Sequence, residues 1–138
     1  MPKKTGISGI EYGRAAFAYA KAKDGKKLGG NTSREYKAYT KKIPMLIKTN
    51  GLGATLSFVK AKGSKNEAYQ LLYQQMAEWF MRQGNDLIEL AKDDDLVERV
   101  IGLNSPAYRV VTREVLALFS YLRRFAEGLI EGEAEAND

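Results

Sequence analysis

Apolar residues along this chain recur at spacings of three and four, the period of a helix with one buried face. The clearest run is Tyr108, Val111, Val115, Leu118, Leu122, Phe125 and Leu129. It predicts a helix over residues 106–130, about 37 Å long at 1.5 Å per residue. Asn104-Ser105-Pro106 starts it, with a capping side chain followed by proline in the first turn. Phe119 and Ala126 widen the stripe, which predicts a central place for this helix in a bundle. Tyr69, Leu72, Met76, Trp79 and Phe80 mark another helix. Ser64-Lys65-Asn66-Glu67 reads as its capping box and Gly84 as its end.

The rest of the chain reads as shorter helices with glycine punctuation. Ser8 caps a first helix ending near Asp24, where Gly25 supplies the stop, with Ile10, Ala16, Phe17 and Ala20 as its stripe. A basic, flexible loop at 26–31 follows. Thr32 or Ser33 caps a helix carrying Tyr36, Tyr39 and Ile43, which Pro44 either kinks or divides. Asn50-Gly51 ends that segment, and Leu52, Leu56 and Val59 share one face of a helix over 52–62. Residues 86–101 are more broken, with Asp86 and Asp93-Asp94-Asp95 as helix starts and Gly102 as a stop. No segment alternates with period two. The pattern predicts a mainly α, single-domain bundle of about five to seven helices over residues 1–130, essentially without strand, followed by an acidic flexible tail at 131–138.

Composition narrows the function. The chain has 138 residues, no cysteine and no histidine, and a formal net charge of +5. Without imidazole or thiol there is no Ser-His or Cys-His pair and no His or Cys ligand for zinc. The expectation is therefore a protein that is not an enzyme and needs no cofactor or metal. No run approaches the roughly 18 apolar residues of a membrane span. The basic N-terminus is not followed by the apolar core of a signal peptide, so the cytoplasm is the expected compartment.

Charge is divided along the chain. Residues 1–65 carry 15 Lys and Arg against 3 Asp and Glu, whereas residues 66–138 carry 7 against 14. Such polarity points to a polyanion or an acidic partner on one face. Lys41, Lys42 and Lys48 lead the candidate RNA-binding set, which also includes Arg14, Lys21, Lys37, Lys60, Arg113, Arg123 and Arg124. Lysine predominates in its N-terminal part, and a point charge favours backbone contact over bidentate base reading. The alternative is a solvated lysine surface over a tyrosine-lined core. Arg113, Arg123 and Arg124 could equally pair along their own helix with Glu127. Gly51-Leu52-Gly53 lacks a preceding strand and Walker spacing, so it reads as a helix-to-helix turn, not a phosphate cradle. Asp93-Asp94-Asp95 point in different directions on a helix, and capping explains them better than magnesium. Trp79-Phe80-Met81, with Tyr69 and Tyr73, reads as core rather than a binding platform.

Two blocks carry a family likeness. Residues 35–58, with the run Lys48-Thr49-Asn50-Gly51-Leu52-Gly53, and residues 108–129, ending Leu122-Arg123-Arg124-Phe125-Ala126-Glu127, resemble the small helical subunit of the Cmr (RAMP module) effector complex of type III-B CRISPR systems. The resemblance implies an all-α protein without catalytic activity that serves antiviral defence. It implies stacking of copies as a minor filament, beside other Cmr subunits, along a channel where guide and target RNA pair. It supports Lys41, Lys42 and Lys48 as members of the signature block without saying which touches RNA. A lysine-rich face suits such a complex, because base pairing reads the sequence and the protein supplies backbone charge. The acidic half offers a complementary surface for head-to-tail stacking. Two further readings stand beside this one: a protein–protein scaffold subunit that meets no RNA, and a DNA-binding regulator, which would need a base-reading recognition helix.

Overall fold

The computed structural model describes the backbone of residues 6–135 and the side chains of residues 13–135. The stripe residue Ile10 and the ends of the chain, residues 1–5 and 136–138, therefore fall outside the described side chains. Among the described residues there are six helices and no strand: α1 (Gly6–Lys27), α2 (Gly30–Asn50), α3 (Leu52–Gly63), α4 (Glu67–Met81), α5 (Leu96–Ile101) and α6 (Ser105–Leu129). No helix among the described residues is long and apolar enough to cross a membrane.

The expected long helix is α6, and its stripe is the axis of the bundle. Val111, Val115, Leu118, Phe119, Leu122 and Ala126 are all buried. Phe125 sits only partly buried against the core, short of the full burial its place in the stripe suggests. Helix α1 lies along one side of α6 and α2 along another, while α3 packs on α4 and α5 closes against α3 and α6. Helices α2 and α6 run antiparallel: Lys37 meets Ile130, Lys41 meets Glu127, and the turn after α2 meets Tyr108. Asn104 caps α6 by accepting the Ala107 amide at 3.0 Å, as the Asn-Ser-Pro start requires.

Several local expectations are corrected. Ser8 falls inside α1, which begins at Gly6, and Gly25 does not stop it. Nor do Ala16 and Ala20 form its buried face, for both are exposed. The buried positions are Ala18, Ala22 and Gly25. Gly25 is there for proximity: a Cβ at this position would lie 2.3 Å from the Tyr36 ring. The basic loop shrinks to Leu28-Gly29, with Gly29 and Gly30 at positive φ making the turn into α2. Pro44 neither divides nor ends α2, which continues to Asn50. The cap of α4 is Asn66, whose Oδ1 accepts the Tyr69 amide at 3.0 Å, while Ser64 bonds back to the Ala61 carbonyl. Between α4 and α5 only Leu96–Ile101 is helical.

Trp79 is buried, packs on Phe17 at 4.9 Å, and donates its indole N–H to Glu114 at 2.9 Å. Tyr36 crosses the core and donates to Gln75 Oε1 at 2.6 Å, and burial raises its phenol pKa far above the usual range. Tyr73 donates to Asp95 at 2.7 Å and Lys60 pairs with the same carboxylate at 3.0 Å. These contacts, with the hydrogen bond from Tyr73 foremost, hold the Asp95 carboxyl below its ordinary range.

Two tests address this packing. Trp79→Ala is expected to lower unfolding free energy by about 3–5 kcal/mol, measured by urea titration. Glycine-to-alanine changes in two helices should differ in sign. Gly25→Ala drives a methyl into the Tyr36 ring and should destabilise by about 1–3 kcal/mol. Gly128→Ala meets nothing within 4 Å and should stabilise by about 0.5–1 kcal/mol through helix propensity. Equal effects at the two sites would show that the α1–α2 contact is not tight.

Candidate nucleic-acid interface

The ten candidate cations divide according to what the fold gives each of them. Arg14 reaches Glu114 with two hydrogen bonds, of 2.9 and 2.8 Å, and its side chain is only 14% exposed. Lys37 is buried and donates to the Ile130 carbonyl at 3.0 Å. Lys21 pairs with Glu78 and also lies over the Phe17 ring. Lys60 pairs with Asp95. These four positive charges tie helices and chain segments together.

Lys41 pairs with Glu127 at 3.0 Å, both side chains being close to half exposed. The hydrogen bond from Lys41 is the main reason the Glu127 carboxyl stays below its usual range, and Arg123 adds to it. An ion pair this open to water holds its partners weakly, by about 0–1 kcal/mol. Lys42 lies on another flank of α2, within 5.5–6.0 Å of the rings of Tyr39, Phe58 and Tyr69. Tyr39 and Tyr69 stack at 3.8 Å, and Lys62 lies over Phe58 at 5.7 Å. Burial pushes the Tyr39 phenol up to about 12, so it remains protonated and uncharged at neutral pH.

Three of the candidates converge. Lys48 from α2 and Arg123 and Arg124 from α6 line a cleft of about 220 Å³ at the seam between the two helices. Pro44, Leu116 and Phe119 make its apolar walls, and Ser120 contributes a hydroxyl. All three cations are exposed, and among the described residues none is in an ion pair. No acidic side chain lines the cleft. Arg113 is exposed as well and precedes Ser120 by seven residues and Arg124 by eleven. Those spacings are close to whole helical turns, which puts it on the same side of α6, roughly 16 Å along the axis from Arg124.

Sequence reasoning missed Ser120 and Arg109. Ser120 looks ordinary inside an apolar stripe, and only the packing of α2 makes it a wall of the cleft. Arg109 is exposed one turn before Arg113, and the spacing 109, 113, 120, 124 was the available signal.

The signature run has a packing explanation. Gly51, at φ 88°, turns the chain from α2 into α3. The Gly53 amide donates to the Tyr108 hydroxyl at 2.8 Å, and a Cβ on Gly53 would approach Ile101 to 3.0 Å. The run is a corner seated on α5 and α6, in keeping with a turn and not a phosphate cradle. The aspartates behave as caps and pairs. Asp95 Oδ1 accepts the Val97 amide, and Asp94 accepts the Ala91 amide at 2.8 Å and pairs with Arg99. The backbone N–H of Ala91 is the main cause that lowers the Asp94 carboxyl. Among the described residues no group of three or more acidic side chains is disposed to hold a metal ion.

Residues 10–129 match the family model Cas_Cmr5, described as a CRISPR-associated protein. The chain is similar to the CRISPR system Cmr subunit Cmr5 of Thermus thermophilus, with 33% identity over 118 residues, 85% of this chain and 92% of that one. It is also similar to the crystal structure of a CRISPR-associated Cmr5 family protein from the same organism. There the TM-score is 0.70 and the identity 30%, covering 88% of this chain and 98% of the other. A sequence match across nearly the whole chain and a shared helical architecture agree, and the chain belongs to the Cas_Cmr5 family of CRISPR-associated proteins.

Proposed function

We propose that this chain is a non-catalytic subunit of a type III-B CRISPR Cmr effector complex in the cytoplasm, where it helps hold guide and target RNA by their phosphates. Copies stack beside one another and beside other Cmr subunits as a minor filament, and the assembly serves antiviral defence. The observation that carries the RNA contact is the convergence of Lys48, Arg123 and Arg124 on one acid-free cleft. Lys41 flanks it and can release Glu127 for a phosphate, because their pairing is open to solvent. Arg113 extends the same side of α6. Lys42 serves from the other flank of α2. Arg14, Lys21, Lys37 and Lys60 act instead in holding the fold.

Backbone contact suits these groups. Phosphates dominate nucleic-acid affinity, and each neutralised phosphate adds about 0.9 to the salt slope of binding to a duplex, or about 0.7 for a single strand. A guided complex asks its proteins for charge and shape, since base pairing supplies the sequence information. One subunit offers few contacts, and repetition along a filament multiplies them.

The test is a Lys48→Ala, Arg123→Ala, Arg124→Ala variant assembled into the complex. Target-RNA affinity should fall and the salt slope should decrease by up to about three units. Unchanged affinity and slope would move these cations to acidic protein surfaces and favour the scaffold reading. Because the chain has neither His nor Cys, the purified subunit is expected to cleave neither RNA nor DNA. Metal-dependent cleavage lost on Asp94→Ala would defeat that expectation.

A further inference from the structure

The seam cleft has a shape as well as a charge. Its volume of about 220 Å³ is below the roughly 300–1,000 Å³ of pockets that enclose a whole small molecule. It can take a phosphate and the edge of its sugar, and the base must remain outside. Ser120 offers the kind of short hydroxyl that bonds a phosphate oxygen or a ribose hydroxyl. The rim beyond Pro44 is Met45, which is 68% exposed, the most exposed large apolar side chain among the described residues. Met45 stands three residues before Lys48 and four after Lys41, so the three share one side of α2. An apolar thioether between two lysines is out of place on a surface that only collects phosphates. It suits a surface that also meets the face of a base, because methionine sulfur packs well against aromatic rings.

We propose that the cleft is a subsite for one nucleotide of an unpaired RNA strand. Lys48, Arg123 and Arg124 hold the phosphate, Ser120 bonds the phosphate or ribose, and Met45 packs on the base. This rests on the RNA reading above and adds a strand preference to it. In a duplex both faces of the base are buried in the stack and Met45 has nothing to cover. In an unpaired strand the base can turn onto it.

The experiment uses the full chain, whose four methionines are labelled with ¹³C at the methyl group, titrated to millimolar RNA so that weak binding is visible. The probes are a 12-nucleotide single strand, the same strand as a duplex, and the same strand lacking its bases. The Met45 methyl should shift with the single strand and not with the other two, while Met81, on α4, stays in place as a control. By fluorescence anisotropy, Met45→Ala should reduce the single-strand to duplex affinity ratio by about two- to tenfold, the span of a sulfur–aromatic contact, with the salt slope unchanged. Its exposure makes this substitution safe for folding. No Met45 shift, or equal shifts with all three probes, overturns the base contact. If that happens while the Lys48, Arg123, Arg124 triple variant still weakens binding and flattens the salt slope, the cleft holds only backbone phosphate and the RNA reading survives. If the triple variant also behaves as wild type, both fail.

Discussion

One carboxylate holds this bundle in register. Glu114, buried on α6, receives both hydrogen bonds of the Arg14 guanidinium and the indole N–H of Trp79. It therefore joins α1, α4 and α6 at a single point. A buried ion pair is not a dependable source of net stability, because desolvation offsets much of its attraction. Removing one partner, however, leaves an uncompensated charge and is strongly destabilising. The contact also does something that the apolar face of α1 does poorly. Ala18, Ala22 and Gly25 let α1 lie close to its neighbours, but small side chains interlock little and would tolerate sliding. The bidentate fork of Arg14 permits one register only. With α6 fixed on that side, its other side meets α2, and the seam cleft is the outcome.

The sequence was legible where one physical signal dominated. Helix α6 has a long stripe of large side chains and a capping start, so its limits and its central place could be read directly. Helix α1 was misread because its buried face is made of the smallest residues. A search for large apolar side chains therefore chose Ala16 and Ala20, which face water, and Gly25 looked like a stop. Ser64 matched the capping-box pattern, but Asn66, two residues on, had the geometry to cap α4. Pro44 in a sequence signals a break, whereas here α2 passes through it while packed on α6.

The site was legible in its chemistry and not in its geometry. The cations could be named, yet their partners lie far away along the chain: Glu114 for Arg14, the Ile130 carbonyl for Lys37, Asp95 for Lys60. Only the folded chain separates charges committed to carboxylates and carbonyls from those left facing solvent. The glycine run carries the same lesson. Its distinctive composition identified the family, while its role in the molecule is set by Tyr108, 55 residues beyond Gly53, which no local pattern links to it.

The distance along the chain between Arg14 and Glu114, 100 residues, has a consequence for how the protein is made. At about 5–20 residues per second, α1 has left the ribosome some 5–20 s before the helix that will hold it. During that interval its register contact does not exist, and its alanine face offers little to grip. The other helices can begin to pack on one another, but the bundle cannot close until its last helix arrives. The first segment to be synthesised is thus among the last to be secured, and a chain truncated before α6 would lack the anchor for its own beginning.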